Sequence, residues 1–141
     1  MLNTGVNYLV GRGTSKDVKA AEKMWIEAAN RGSADAAWRL SECYREGTIE
    51  GNIGQYKQYL TKAANLGYAA ACYKLGSYYF SGVEGIFNKD AFQAFIYMKK
   101  AADANYADAN DAMAYFYENG IGCEKDPEKA KEYRAKARTT Y

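Results

Sequence analysis

A motif that recurs at four regularly spaced positions constrains this chain more than any other feature of its sequence. In each copy a tyrosine is followed three residues later by a glycine, and the four glycines are Gly11, Gly47, Gly82 and Gly120. Successive glycines are 36, 35 and 38 residues apart. Pairs of alanines recur with nearly the same period and begin at Ala28, Ala63 and Ala101. Recurrence at such a period is typical of a repeat architecture in which each unit packs on its neighbours.

The spacing of apolar residues within each repeat predicts helices. One face of the helix predicted at 34–46 carries Ala37, Leu40, Ser41 and Tyr44, at the three- and four-residue intervals of an amphipathic helix. First helices are likewise predicted at 69–81 and 107–119, with Tyr79 and Tyr117 as core residues equivalent to Tyr44. Alternating runs are absent and β-branched residues are few, so no strand is predicted. We therefore predict an all-α solenoid of about three and a half to four helix-turn-helix repeats.

The repeats divide the chain into four consecutive stretches, all within one predicted domain over residues 1–141. Their predicted limits are about 1–32, 33–67, 68–105 and 106–141. The first repeat is truncated, because its first helix is only a stub at 2–10.

Capping residues indicate where the second helices begin. Asp17 is the predicted N-cap of the helix at 18–30, Asn52 is the N-cap of the next one, and Asp126 precedes a proline at a first helical position. Asn105 stands where other repeats have a terminating glycine, and asparagine also adopts the left-handed conformation that ends many helices.

Composition argues against several classes of function. The 141 residues include 19 Lys and Arg against 17 Asp and Glu, for a net charge of +2, which gives no case for binding nucleic acid or an anionic membrane surface. There is no histidine, the residue most often used as a general base or metal ligand. No apolar run is long enough to span a membrane. We therefore expect no catalytic residues, no metal and no cofactor.

Two local features suggest chemistry only superficially. The glycine-rich stretch at 11–16 lacks the ending of a phosphate-binding P-loop, so it is interpreted as a repeat turn. Asp108 and Asp111 lie three residues apart on one predicted helix; a solvated acidic face is favoured over a weak metal site. An enzyme or small-molecule binder is the distant alternative, since it would need a convergent polar pocket.

The cysteines bear on the redox compartment. The chain has three cysteines, Cys43, Cys72 and Cys123. Their number is odd, and their spacing matches no zinc-binding or redox motif. Reduced thiols in a cytoplasmic protein are expected, and a disulfide between Cys43 and Cys72 is the alternative. The first residues lack the features of a signal peptide; a periplasmic location would require such a peptide upstream.

The stretch from Leu75 to Gly82 has the pattern Leu-Gly-x-x-Tyr-x-x-Gly and is followed by a glycine turn, a Lys-Ala pair and a closing Ala-Ala motif. This arrangement resembles the Sel-one-like repeat family, which is related to tetratricopeptide repeats, from about Thr4 to Ala137. Ser41 and Ala114 replace the family glycine. The resemblance implies a right-handed α-solenoid that binds another protein as an adaptor, scaffold or regulator. An immunity protein that neutralises a secreted toxin is the alternative, and no catalytic residues come with the family.

A second face of the first helices carries the candidate partner-binding residues. They are Trp38, Glu42, Arg45, Tyr73, Ser77, Phe80, Asp111, Tyr115 and Glu118. In related solenoids the first helices line the concave surface, and aromatic and Arg side chains dominate interface energetics. We therefore predict that a protein partner docks there, with Trp38 and Tyr73 as anchors. The alternatives are that the aromatic stripe belongs to the core, and that Phe80 packs under the long 82–89 turn with Phe87.

Overall fold

The computed structural model describes residues 15–47, 49 and 51–140. These residues form the helices α1 (Ser15–Asn30), α2 (Ala34–Glu46), α3 (Ile53–Asn65), α4 (Ala69–Ser81), α5 (Ala91–Asp103), α6 (Ala107–Asn119) and α7 (Pro127–Thr140). Over the same residues no strand forms, and the β-type pairing is an isolated bridge between Val83 and Phe87. The all-α prediction is confirmed, whereas the predicted helix stub at 2–10 lies outside the described residues.

The first helices α2, α4 and α6 have the predicted bounds, whereas two of the second helices, α1 and α5, start at other residues than predicted. α1 begins at Ser15, so Asp17 lies within the helix and its prediction as N-cap is wrong. The first four N–H groups of any helix lack intrahelical acceptors, so an aspartate suits the first turn as well as the cap. The sequence predicts α5 over residues 90–104, but the helix begins at Ala91 because the carboxylate of Asp90 caps it by accepting from the Gln93 N–H at 3.1 Å.

Three of the predicted helix ends are confirmed by their hydrogen bonds or dihedral angles. Asn52 and Gln55 form a capping box, in which each side chain accepts from the other's backbone N–H at 2.9 and 3.0 Å. Asp126 accepts from the Lys129 N–H at 3.1 Å and thereby caps α7. Asn105 has a φ of 65°, so it terminates its helix in the left-handed conformation.

The described residues form two compact units, which divide in sequence between Leu66 and Gly67. In the first unit α2 packs on α1 and α3; in the second, α5 packs on α4 and α6, and α6 packs on α7. The repeated alanine pairs are buried in both, where their small side chains let neighbouring helices approach. The single domain over residues 1–141 stays a prediction.

The predicted core tyrosines are not equivalent. Tyr44 and Tyr117 are each 7% exposed, as predicted, but Tyr79 is only half-buried. Phe87, from the long turn, takes a buried position against Tyr79 with ring centroids 5.4 Å apart. The prediction of Tyr79 as an interior residue is therefore wrong, because the longer turn supplies a second aromatic ring beside it.

The cysteine thiols are free in the structure, and Cys43 and Cys72 are buried. Burial raises the pKa of the Cys43 thiol to about 11, and it raises the pKa of the Cys72 thiol as well. The free state of both thiols contradicts the alternative of a disulfide between Cys43 and Cys72. Among the described helices, none combines the length and apolar character needed to cross a bilayer.

Candidate functional site

In the first unit, the predicted partner residues are those of α2, and each is at least partly exposed. Trp38 and Glu42 are half-buried, and Arg45 is exposed. The Arg45 guanidinium contacts the Glu42 carboxylate at 2.7 Å and the Glu46 carboxylate at 3.3 Å. These ion pairs hold the guanidinium of Arg45 close to α2, the helix that also carries Trp38.

In the second unit, an open groove of about 540 Å³ lies between α4 and α6. It is lined by Tyr73, Ser77, Phe80 and Ser81 of α4, Met98 of α5, and Asp108, Asp111, Ala112, Tyr115 and Phe116 of α6. Five residues predicted from sequence therefore line one groove: Tyr73, Ser77, Phe80, Asp111 and Tyr115. The sixth residue predicted in this unit, Glu118, instead forms an ion pair with Arg134 of α7, which holds its carboxylate outside the groove.

Aromatic rings form the walls of the groove. Phe80 meets Tyr115 edge-on at a centroid distance of 6.0 Å and packs at a tilt against Phe116 at 5.5 Å. Phe80 and Tyr115 nevertheless remain 41% and 47% exposed. At the other end, Tyr73 stacks on Tyr106 at 4.9 Å. Because aromatic pairs prefer offset and edge-to-face geometries, the walls are held in place before any ligand arrives.

The alternative in which Phe80 packs with Phe87 is wrong. Phe87 packs against Tyr78 at 5.1 Å and Tyr79 at 5.4 Å, on the side of α4 that faces the long turn. Phe80 follows these tyrosines along the helix, where each residue is rotated by about 100° from the one before. Its ring therefore points toward α6.

The charged side chains that line the groove lie on α6. Asp108 and Asp111 are both exposed, and the ten lining residues include no Lys or Arg. The pKa of Tyr73 is raised first by burial and then by the negative charge of Asp108. The groove thus presents aromatic surface and negative charge together.

Sequence reasoning missed part of this lining. Met98 and Phe116 are 3% and 2% exposed and form the floor, and their positions depend on how α5 and α6 pack. Asp108 was assigned only to an acidic face. Its spacing of three residues from Asp111 places both carboxylates on one side of α6, and this signal could have added Asp108 to the site.

The arrangement of side chains does not favour the alternative of a weak metal site at Asp108 and Asp111. Within the described part of the chain, no three residues of the types His, Cys, Asp and Glu come together as a metal site. Asp108 and Asp111 therefore lie at a groove edge without a third ligand of these types.

The repeat boundaries decide which family this chain belongs to. The sequence profile of the Sel1 repeat matches residues 1–33, 34–68, 69–106 and 107–137. The chain belongs to the Sel1 repeat family. The first three of these boundaries lie within one residue of those predicted from the recurring motif.

Similar proteins are named as regulators and assembly factors. The chain is 34% identical over 123 residues to the chitin synthase regulator SKT5 of Saccharomyces cerevisiae, covering 86% of this chain and 18% of that protein. It is 27% identical over 144 residues to cytochrome c oxidase assembly factor 7A of Xenopus laevis, covering 95% of this chain and 61% of that protein. The chain therefore spans less than two thirds of either relative.

A solved structure confirms the Sel1 repeat fold. The Sel1 repeat protein from Oxalobacter formigenes superposes with a TM-score of 0.76 at 33% identity, covering 83% of this chain and 87% of that one. The recognition of the family and the all-α repeat fold, both predicted from sequence, are thus confirmed.

Proposed function

We propose that this chain is a non-catalytic interaction module and that a partner protein docks in the groove between α4 and α6. The observation that carries the proposal is the exposure of Phe80 and Tyr115 at the groove wall. Exposed apolar patches with polar rims are typical of interaction sites, and aromatic anchors dominate the binding energy of such interfaces.

The names of the relatives support a regulatory or assembly role for this module. SKT5 is named as a regulator of chitin synthase, and factor 7A as an assembly factor of cytochrome c oxidase. Both names describe action on another protein, which favours a regulatory module over the toxin-neutralising alternative.

We also propose the surface formed by Trp38, Glu42 and Arg45 as a further contact surface, to be tested through Trp38→Ala alone.

The test compares proteins captured by the parent chain with those captured by the double variant Phe80→Ala with Tyr115→Ala. Partners that need the groove are expected to bind the parent and to be lost from the double variant. Affinity for a purified captured partner, measured by calorimetry, is expected to fall at least about 30-fold, because one aromatic anchor contributes about 2 kcal/mol or more.

Phe92→Ala is the matched control, since Phe92 is an aromatic residue of α5 that is 62% exposed and does not line the groove. This variant should retain every partner. If Phe92→Ala loses the partners while the double variant keeps them, the docking site lies elsewhere. Thermal melting of the double variant close to that of the parent shows that a lost partner does not reflect unfolding.

A further inference from the structure

An asparagine followed directly by a glycine lies at the end of α6. Asn119 is the last residue of that helix, and both Asn119 and Gly120 are exposed. Every other asparagine of the chain is followed by a residue that has a side chain. Because glycine has no Cβ atom, its backbone nitrogen can approach a neighbouring group more closely than that of any other residue. The Asn119 side-chain amide, which belongs to a thermolabile residue type, is therefore the one most open to attack by the following nitrogen.

The folded structure engages both groups that would react. The Asn119 side-chain nitrogen donates to the Tyr115 carbonyl at 2.9 Å, and the Gly120 N–H donates to the Phe116 carbonyl. The same Phe116 carbonyl accepts from the Ile121 N–H at 2.9 Å. The Gly120 nitrogen therefore has to leave its hydrogen bond before it can attack, and helix ends open more readily than helix interiors.

We propose that Asn119 is a site of spontaneous deamidation, which proceeds when the last turn of α6 opens. A base removes the proton of the Gly120 N–H, and the nitrogen attacks the side-chain amide carbon of Asn119. A carbon–nitrogen bond forms, the amide nitrogen takes up a proton and leaves as ammonia, and a cyclic succinimide remains. Water then opens the ring at either of its carbonyl groups to give aspartate or isoaspartate. Docking of a partner plays no part in this reaction.

Deamidation changes the hydrogen bonds at the end of α6. The succinimide nitrogen carries no hydrogen, so the bond from Gly120 to the Phe116 carbonyl is lost. The aspartate formed from Asn119 has no N–H to donate to the Tyr115 carbonyl. Its negative charge also lies at the C-terminal end of the helix dipole, where it is unfavourable. We therefore expect the product to loosen the turn that follows α6.

The experiment incubates the folded 141-residue chain at neutral and at mildly alkaline pH and follows its peptides by mass spectrometry. Asn119 is expected to become a mixture of aspartate and isoaspartate, faster at the higher pH because the attacking nitrogen has to lose a proton. Asn65 is the matched internal control. It is also exposed and the last residue of a helix, α3, but Leu66 follows it, so it should keep its amide.

The same measurement on the chain unfolded in urea tests the protection by the helix turn. Asn119 should react at least about tenfold faster there, because no opening step precedes the attack. The inference is overturned if Asn119 of the folded chain keeps its amide over an incubation many times longer than the unfolded chain needs, or if Asn65 reacts as fast as Asn119. Equal rates in the folded and the unfolded chain overturn the protective role of the turn.

The variant Asn119→Asp reproduces the aspartate product, and Asn119→Ala is its control. Both variants lose the bond to the Tyr115 carbonyl, but only the aspartate adds a negative charge at the helix end. Hydrogen exchange of the Ile121 amide is therefore expected to be about two- to fivefold faster in Asn119→Asp than in Asn119→Ala. Equal exchange in the two variants would overturn the loosening of the turn by charge.

Discussion

Gly122 shows at the scale of a single residue why the turns of these repeats contain glycine. It lies between α6 and α7 with a φ of +69°, a conformation that other residues adopt only with strain. A Cβ atom here would also collide with the Ala91 carbonyl and would lie 2.7 Å from the Phe95 Cβ of α5. Both the backbone conformation and the approach to α5 therefore require the absence of a side chain.

We expect Gly122→Ala to lower the free energy of unfolding by about 2–5 kcal/mol, the sum of left-handed strain and overpacking. Urea denaturation measures the change. Gly85→Ala is the matched control. Gly85 also has a positive φ, +80°, but a Cβ atom added to it would meet nothing within 4 Å. Backbone strain alone should therefore lower the free energy of unfolding of this variant by about 1–2 kcal/mol. Equal losses in the two variants would show that contact with α5 contributes nothing.

At the scale of the helices, equivalent tyrosines of neighbouring repeats differ in burial. Tyr117 of α6 is 7% exposed; it stacks on Tyr133 at 5.7 Å and meets Phe95 edge-on at 5.5 Å. Tyr79 of α4 is half-buried and shares its surroundings with Phe87 of the long turn. The extra length of that turn changes which aromatic ring occupies the interior.

We expect Tyr117→Ala to destabilise the protein by about 3–5 kcal/mol, as is typical when a buried aromatic ring is removed. Tyr79→Ala should cost less, because water already reaches part of that ring. Thermal and urea unfolding of the two variants give the comparison. If Tyr79→Ala lowered the free energy of unfolding more than Tyr117→Ala, the exposure of the rings would not determine how much stability is lost.

The bounds of a helix were predictable where they depend only on residues within that helix or directly after it. The bounds of α2, α4 and α6 follow from the spacing of apolar residues and the position of the glycine that follows each helix. The start of α1 was not predicted, because an aspartate is compatible with both the cap and the first turn. The interior position of Phe87 was not predicted either, since it depends on how the long turn folds back onto α4.

At the scale of the whole molecule, buried tyrosines make the free energy of unfolding fall at alkaline pH. The pKa values of Tyr44, Tyr59 and Tyr133 are raised, in each case chiefly by burial. The folded protein therefore keeps these protons at a pH where the unfolded chain, with a tyrosine pKa of about 10, has lost them. Because the folded state then binds more protons, the free energy of unfolding falls as pH rises.

We expect the free energy of unfolding to begin to fall above about pH 8.5, where thiols of the unfolded chain ionise while the buried thiols of Cys43 and Cys72 keep their protons. It should fall more steeply above about pH 10, where the tyrosines of the unfolded chain ionise as well. Urea denaturation at a series of pH values measures this. Tyr44→Phe should reduce the alkaline slope, and at neutral pH it should also lose the hydrogen bond that the Tyr44 hydroxyl donates to Glu22 at 2.6 Å. A stability that stays level above about pH 10 in the parent would contradict the assignment.

The groove was predictable to the extent that it is a property of individual helices. Angular positions on α4 and α6 placed Tyr73, Phe80 and Tyr115 off the core face, and the structure brings them to one groove. The ion pair that holds Glu118 away from it involves Arg134 of another helix, which no spacing within α6 reveals. The binding roles of these residues stay a prediction.

The burial of Cys43 and Cys72 gives each compact unit its own internal reporter. Cys43 lies on α2 in the first unit and Cys72 on α4 in the second. A buried thiol with a raised pKa is protected from alkylating reagents, so modification has to wait until the surrounding helices open. With Cys123 replaced by serine, the alkylation rates of the two remaining thiols would measure separately how often each half of this repeat protein opens.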